Sequence, residues 1–254
     1  MPHDMQRLDQ ADGLKTTGSA RNAIYTVGGV ASLAIALMYL IAAAVYAPAM
    51  RQEPTPTTVL EWFSLFENNR LVGLFYLGIA DVPIVILFGA VALALRSALE
   101  RVNKVWTTIA TPLAFVGMAV YLATNTSFSM LALSSEYATA TTEAQRTAIH
   151  AAGHTLISIT RGTGGVAGLS LVWLSGLIFS SLMLRSDNLG KAVAWIGVVS
   201  FALLVPSFLF AGYTYGASSG IREKLALITS LGGGLLSLVW YVLVGLRLLR
   251  FGRV

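Results

Sequence analysis

One carboxylate stands by itself in a long apolar segment of the sequence. Asp81 is the only acidic residue between positions 71 and 96, and Pro83 follows two residues later. An unpaired ionised carboxylate is costly inside a bilayer, so the group has to be paired, hydrated or protonated. We therefore interpret Asp81 as a candidate proton or cation site, or as a polar anchor for a ligand. The alternative is a protonated Asp81 that fixes helix packing through a hydrogen bond.

Two further polar residues complete the set of candidates for a ligand or proton site. Asn125 and Arg161 lie near the ends of the apolar segments that contain or follow them. The helix rise places Arg161 about 14 Å from the level of Asp81, so we expect no direct ion pair between them. Asn125 lies nearer to Arg161, and the two can share a polar cluster at the outer surface.

Two histidines have the spacing of a metal site. His150 and His154 are separated by one helical turn, the spacing found in H-E-x-x-H zinc sites. The intervening residues are Ala151, Ala152 and Gly153, so the catalytic glutamate of that motif is missing. A metal site is therefore the minor interpretation. A polar surface pair is the main one, and a pH-sensing role is equally open.

The composition decides what kind of protein positions these residues. Of the 254 residues 56% are hydrophobic and only 11% are charged, against about 25% charged residues in an average soluble domain. The chain has no cysteine, which excludes disulfides, thiolate metal sites and a cysteine nucleophile. These counts indicate an integral membrane protein and exclude a soluble enzyme, a disordered chain and a nucleic-acid binder.

The hydropathy pattern predicts an all-α integral membrane protein, a bundle of six transmembrane helices in one domain over residues 22–254. A spanning helix needs about 20 mostly apolar residues. The polar residues 1–21 are predicted to be a cytoplasmic tail. The expected spans are residues 23–47, 71–96, 105–126, 164–184, 192–213 and 225–246.

The basic residues predict the orientation of the bundle. With six spans, 11 of the 17 Lys and Arg residues lie on the side of the two termini and 6 on the opposite side. Cytoplasmic loops carry the excess of basic residues in membrane proteins. We therefore expect both termini in the cytoplasm.

Two segments are expected outside the membrane, on the side opposite the termini. Residues 57–69 read as an amphipathic helix with Val59, Trp62, Phe63 and Phe66 on one face. It either covers the end of the bundle, which we favour, or serves as a lid or docking surface. Residues 127–163 read as an extended helical hairpin between spans 3 and 4, in which Thr142 and Gln145 form a capping box.

Several residues predict irregular helix geometry at mid-membrane depth. They are Pro83, Pro206 and the triplet Gly232, Gly233 and Gly234. A proline removes a backbone donor, and three glycines permit either a local break or close helix approach. An irregular, hydrated region and tight packing around small residues are both open interpretations.

The order of these features resembles a family of bacterial multi-span membrane proteins that is catalogued as a domain of unknown function. The residues that carry the resemblance are Glu61-Trp62-Phe63, Asn69-Arg70, Asp81-Val82-Pro83, Tyr121–Thr126, Met130–Ser134, Thr142–Arg146 and Gly162–Gly164. The resemblance covers roughly residues 22–215 and implies the six-span plan and a bacterial inner membrane. It implies no substrate and no catalytic residue, and His150 and His154 lie outside its pattern.

Three classes of function follow in order of preference. The first is a non-enzymatic ligand-binding, sensing or assembly protein. The second is a small-solute or proton-coupled transporter that uses Asp81, and the third is a membrane enzyme acting on lipid, for which no catalytic set is present. No cofactor is expected. The expected partner is the lipid bilayer, and a small-molecule or lipid ligand between the spans and a protein partner at the outer hairpin are both open.

Overall fold

The structure, a computed structural model, describes residues 2–52, 56–214 and 220–252, and every regular element in these ranges is helical. Helix lengths and ends follow the local sequence: Asn103, for example, begins a helix by accepting a hydrogen bond from the Trp106 amide at 3.1 Å. The helices are α1 (Pro2–Gln52), α2 (Val59–Asn68), α3 (Arg70–Tyr76), α4 (Asp81–Leu99), α5 (Lys104–Thr124), α6 (Ser127–Thr139), α7 (Glu143–Arg161), α8 (Thr163–Met183), α9 (Lys191–Thr214) and α10 (Gly220–Phe251).

Five helical stretches are long and apolar enough to cross a membrane. They are Ser19–Tyr46, Asp81–Leu99, Lys104–Thr139, Glu143–Met183 and Ile228–Phe251. The expected span 192–213 falls in α9, of which Lys191–Pro206 is a shorter apolar stretch. Large apolar side chains such as Val105, Ile228 and Leu235 are about two-thirds exposed on the outside of these helices. Exposed apolar surface of this extent is that of a membrane protein.

Six helices form a closed ring, because each packs against its neighbours in the order α1, α4, α5, α8, α9, α10 and back to α1. The interior holds large buried side chains, including Phe88, Phe179, Phe201 and Trp240. Small residues let the backbones approach closely: a Cβ on Gly168 of α8 would lie 2.7 Å from the Tyr121 nitrogen of α5. The ring is therefore a packed bundle of small-residue contacts around an aromatic and aliphatic core.

The remaining helices, α2, α3, α6 and α7, form a second unit at one end of the ring, which we call the cap. The cap has its own apolar core, in which Val59, Trp62 and Phe66 of α2 meet Met130 of α6. The Ser134 hydroxyl of α6 donates to the Phe63 carbonyl of α2 at 3.1 Å. The amphipathic helix expected at 57–69 is thus a packed part of the cap, with its apolar face inward.

The opposite end of the ring, which we call the terminal end, gathers the start of the apolar part of α1 and the end of α10. The rings of Tyr25 and Phe251 lie 5.8 Å apart there. The tail expected at 1–21 is helical from Pro2 onward, as the first part of α1.

Candidate functional site

The helix that carries Asp81 is not continuous. The span expected at 71–96 is divided into α3 and α4 by a turn over residues 77–80. Gly78 makes this turn with φ of +79°, a left-handed conformation that glycine adopts without a steric penalty. The Asp81 amide then donates to the Gly78 carbonyl at 3.1 Å and starts the next helix.

The residues after the turn favour a helix start. Asp81 is the first residue of α4, where a carboxylate interacts favourably with the helix dipole. Pro83 is the third residue, so its missing N–H would have had no helical acceptor. Pro83 therefore belongs to the start of a helix. Its position within the expected span had suggested a kink in a continuous helix, and the structure has no such kink at Pro83.

The break changes the expected depth of Asp81. The 19 residues of α4 extend about 28 Å, close to the thickness of a hydrocarbon core. Asp81 therefore lies at the cap end of this apolar stretch, where the ring meets the cap. The sequence had placed it near the middle of a longer span.

Side chains from α5 hold the carbonyls of the broken turn. The Tyr121 hydroxyl donates to the Gly78 carbonyl at 2.9 Å and lies 3.3 Å from Oδ2 of Asp81. The Asn125 amide nitrogen lies 3.3 Å from the Leu77 carbonyl and 3.4 Å from that of Gly78. We call these five residues, Leu77, Gly78, Asp81, Tyr121 and Asn125, the Asp81 junction.

Residues from α6 and α1 extend the polar environment of the junction. The Ser127 hydroxyl donates to the Leu77 carbonyl at 2.9 Å, and its amide donates to Oδ1 of Asn125 at 3.2 Å. On the other side, the Tyr46 hydroxyl of α1 donates to the Phe75 carbonyl in the turn before the break. The junction thus joins α1, the turn between α3 and α4, α5 and α6.

The Asp81 junction offers oxygen atoms to a positive charge. Asp81 is half-buried, and none of the described basic side chains forms an ion pair with it. The Gly78 carbonyl accepts from the Asp81 amide, the Tyr121 hydroxyl and the Asn125 amide, so a cation at this oxygen would displace one of these donors. The Leu77 carbonyl likewise accepts from Asn125 and Ser127. A carboxylate beside carbonyls of an interrupted helix is the arrangement that binds protons and small hard cations in membrane proteins.

The structure brings together two of the three predicted site candidates. Asp81 and Asn125 share the junction, through Gly78 and Tyr121. The side chain of Arg161 lies outside the described part of the structure, which gives only its place as the last residue of α7. Tyr121, Ser127 and Tyr46 were missed by the sequence reasoning. The spacing of Tyr121 and Asn125 by one helical turn was the available signal for the first of them.

The two histidines lie on α7 with ring centroids 5.2 Å apart. His150 is half-buried and His154 is exposed. Within the residues whose side chains are described, no group of three or more His, Cys, Asp or Glu side chains stands together. The pair keeps the spacing of two metal ligands and lacks a third.

The other predicted irregularities are continuous helix. α9 runs through Pro206, and α10 runs through Gly232, Gly233 and Gly234. Within the triplet, Gly233 serves helix packing: a Cβ there would lie 2.8 Å from Leu204, and the Ser200 hydroxyl donates to the Gly233 carbonyl at 2.8 Å. The helix break beside Asp81 is therefore at Gly78, and Gly233 is a close contact between α9 and α10.

No protein-family profile, curated protein or solved structure matches the chain. The geometry of the Asp81 junction is therefore the basis for the function proposed below.

Proposed function

We propose that the protein is a six-span membrane protein of the bacterial inner membrane with both termini in the cytoplasm and the cap outside. The meeting of Tyr25 and Phe251 supports an even number of crossings, because it puts the ends of the first and last apolar stretches on one side. α9 would then be the sixth span. The excess of basic residues on the side of the termini supports the orientation.

Its proposed function is non-enzymatic: the Asp81 junction binds a proton or a monovalent cation, and the cap senses the occupancy of the site. The observation that carries this proposal is the half-buried carboxylate of Asp81, without an ion-pair partner among the described side chains, at a break whose carbonyls face side chains of α5. One carboxylate supplies one negative charge, which matches a proton or a monovalent ion. The remaining ligands would be neutral oxygens, which such ions accept.

The connection to the cap supports a sensing role. Leu77 belongs both to the junction and to the apolar core of the cap, and Ser127, which donates to its carbonyl, is the first residue of α6. A cation that draws the carbonyls of the turn toward itself would compete with these hydrogen bonds. Binding at Asp81 would therefore shift the packing of α3 and α6. The occupied and empty forms would then differ in their contacts, as a sensor requires.

The experiment is thermal unfolding of the full chain in lipid nanodiscs. Sodium chloride and potassium chloride are compared with N-methylglucamine chloride at equal ionic strength, and the series is repeated across pH. The wild type is expected to be stabilised by a small cation or by protonation, because a ligand that binds only the folded state raises the unfolding midpoint. Asp81→Asn keeps the shape of the side chain and is expected to lose this response.

The matched control is Glu67→Gln, which removes an exposed carboxylate of α2 outside the junction. It is expected to respond like the wild type. An Asp81→Asn protein with the same cation and pH response as the wild type would refute the proposed site.

A transporter is the second candidate, and the interruption at residues 77–80 is the observation that favours it. Broken helices with a carboxylate beside unwound carbonyls hold coupling ions in many carriers. Proteoliposomes with an internal pH dye test this candidate. A proton carrier is expected to dissipate an imposed pH gradient in proteoliposomes that contain the wild type or Glu67→Gln, and not in those that contain Asp81→Asn. Gradients that decay alike in all three preparations would exclude transport.

A further inference from the structure

A cavity of about 490 Å³ opens at the terminal end of the ring, far from the Asp81 junction. Its wall is built from α1, the end of α4, the loop between α8 and α9, and the end of α10. Volumes of this size are usual for small-molecule sites. The cavity is distinct from the proposed cation site, because the two lie at opposite ends of α4.

The charge of the cavity is positive. Arg21 and Arg101 both line it, and none of the described residues in its wall is acidic. Within the described side chains, neither arginine forms an ion pair or a hydrogen bond. Glu100 and Asp187 are close in sequence to the lining, but both are exposed and neither contributes to the wall. Arg21 and Arg101 therefore line the same space, and the described residues of its wall supply no counter-charge.

Neutral hydrogen-bond donors accompany the two arginines. Asn22, Ser97 and Ser186 line the same cavity, and the polar ends of their side chains make no hydrogen bond within the described residues. Ser186 is a largely buried residue, so packing fixes its place in the wall of the cavity. A hydroxyl in the wall can donate to a ligand oxygen.

The wall is held in place by its own contacts. An Arg247 nitrogen donates to the Asn188 carbonyl at 3.4 Å, which fastens the loop between α8 and α9 to α10. Gly190 completes this loop with φ of +78° and lies against the Arg247 guanidinium. The rings of Tyr25 and Phe251 pack together at the rim. These contacts hold the hydrogen-bond donors of the cavity wall in fixed positions.

We propose that this cavity binds the phosphate group of an anionic ligand. Arginine is suited to this role because its planar guanidinium gives two parallel donors to phosphate oxygens. The cavity lies at the level where the apolar stretches Ser19–Tyr46, Asp81–Leu99 and Ile228–Phe251 end. Both an anionic lipid headgroup and a phosphate from solution can reach a site at this level.

The experiment uses the full chain in dodecyl maltoside micelles, which contain no phosphate. One arm compares sodium phosphate with sodium chloride at equal ionic strength. The other compares phosphatidic acid with diacylglycerol of the same chains, so that only the phosphate differs. The readout is the unfolding midpoint as a function of ligand concentration, which gives an apparent Kd. If only phosphatidic acid raises the unfolding midpoint, the bound phosphate group belongs to a lipid. If inorganic phosphate raises the midpoint, the site takes phosphate from solution.

Arg21→Gln and Arg101→Gln are each expected to weaken binding about tenfold, the loss that accompanies removal of one charge-assisted contact. Ser97→Leu keeps both charges and is expected to weaken binding, because it replaces a hydroxyl of the wall with an apolar side chain. Arg185→Gln and Arg250→Gln remove exposed charges at the same end outside the wall and are expected to bind as the wild type does. The proposal is overturned if neither arm raises the midpoint, or if the Arg21 and Arg101 variants bind as tightly as the two controls.

Discussion

At the residue scale, the two carboxylates with the most specific surroundings have opposite environments. Asp81 is half-buried at a helix break, and its carboxylate receives one hydrogen bond among the described residues, the 3.3 Å contact from Tyr121. Glu61 of α2 is exposed, but it accepts from the Thr57 amide at 2.6 Å and from the Thr57 hydroxyl at 2.9 Å. Carboxylates satisfied by several donors favour the ionised form. A half-buried carboxylate with a single side-chain donor favours uptake of a proton or a cation.

Glu61 gives a pH-dependence prediction for the cap. Hydrogen bonds from the backbone and side chain of Thr57, and from the backbone of Thr58, lower the pKa of this carboxyl from its ordinary value. Because the pKa is lower in the folded state, the stabilisation of α2 is present above the ordinary glutamate pKa. It is lost as the pH falls through the lowered pKa. Hydrogen exchange of the α2 amides, expressed relative to the intrinsic exchange rate at each pH, is expected to accelerate over that acidic range.

The control for this prediction is Glu61→Gln. Glutamine can complete the same capping box with Thr58 but carries no titratable proton. Its α2 amides are expected to lack the wild-type acceleration over this range. An equal acceleration in wild type and variant would show that another group governs the cap at acidic pH.

At the element scale, the defining feature is the interruption between α3 and α4. The sequence indicated an unusual site here through Asp81 and Pro83, but it predicted one span over 71–96 because, apart from Asp81 and the terminal Arg96, this segment has no charged residue. Hydropathy reports only the average environment of a segment. The break depends on the positive φ of Gly78 and on donors from residues 121–127, which are distant in sequence. The capping boxes at Thr58 and Thr142 depend on local sequence, and that at Thr142 was predictable for this reason.

Gly78→Ala tests the turn. The new Cβ would impose a side chain at φ +79° and would lie 2.5 Å from the Tyr121 hydroxyl. Left-handed backbone costs a non-glycine residue about 1–2 kcal/mol, and the clash adds to this cost. The free energy of unfolding, measured by denaturant in mixed micelles, is expected to fall by at least that amount.

Gly234→Ala is the matched control, because a Cβ there meets nothing within 4 Å and the residue lies inside α10. Alanine in a helix interior is favoured over glycine by up to about 1 kcal/mol. The control is therefore expected to have unchanged or increased stability. A Gly78→Ala protein as stable as Gly234→Ala would mean that residues 77–80 do not require the left-handed turn.

At the scale of the whole molecule, composition and hydropathy predicted a helical membrane protein. In its described residues the structure is all-helical and has five helices long and apolar enough to cross a membrane. The arrangement of the ring could not be predicted, because it rests on contacts between distant small residues, such as Ser32 with the Tyr241 carbonyl at 2.7 Å. The basic cavity could not be predicted either, because Arg21 and Arg101 in its wall are 80 positions apart in sequence. Charge counts indicated only that both belong to the same side.

The proposed orientation predicts which surfaces can be labelled from each side of the membrane. The chain has no cysteine, so a single substitution introduces the only thiol. Thr141→Cys lies in the exposed loop of the cap, and Asp187→Cys lies in the exposed loop at the terminal end. In intact spheroplasts an impermeant maleimide is expected to label the first variant, and the second only after permeabilisation. Labelling of both from one side would contradict the six-span plan.

The central claim is that Asp81 takes up a proton or a monovalent cation, and infrared difference spectroscopy of the carboxyl groups tests it most directly. Exchange of N-methylglucamine for sodium or potassium, or a change of pH, is expected to give a carboxyl difference band in the wild type and in Glu67→Gln. The band is expected to be missing in Asp81→Asn. Difference spectra of Asp81→Asn identical to those of the wild type would contradict the account.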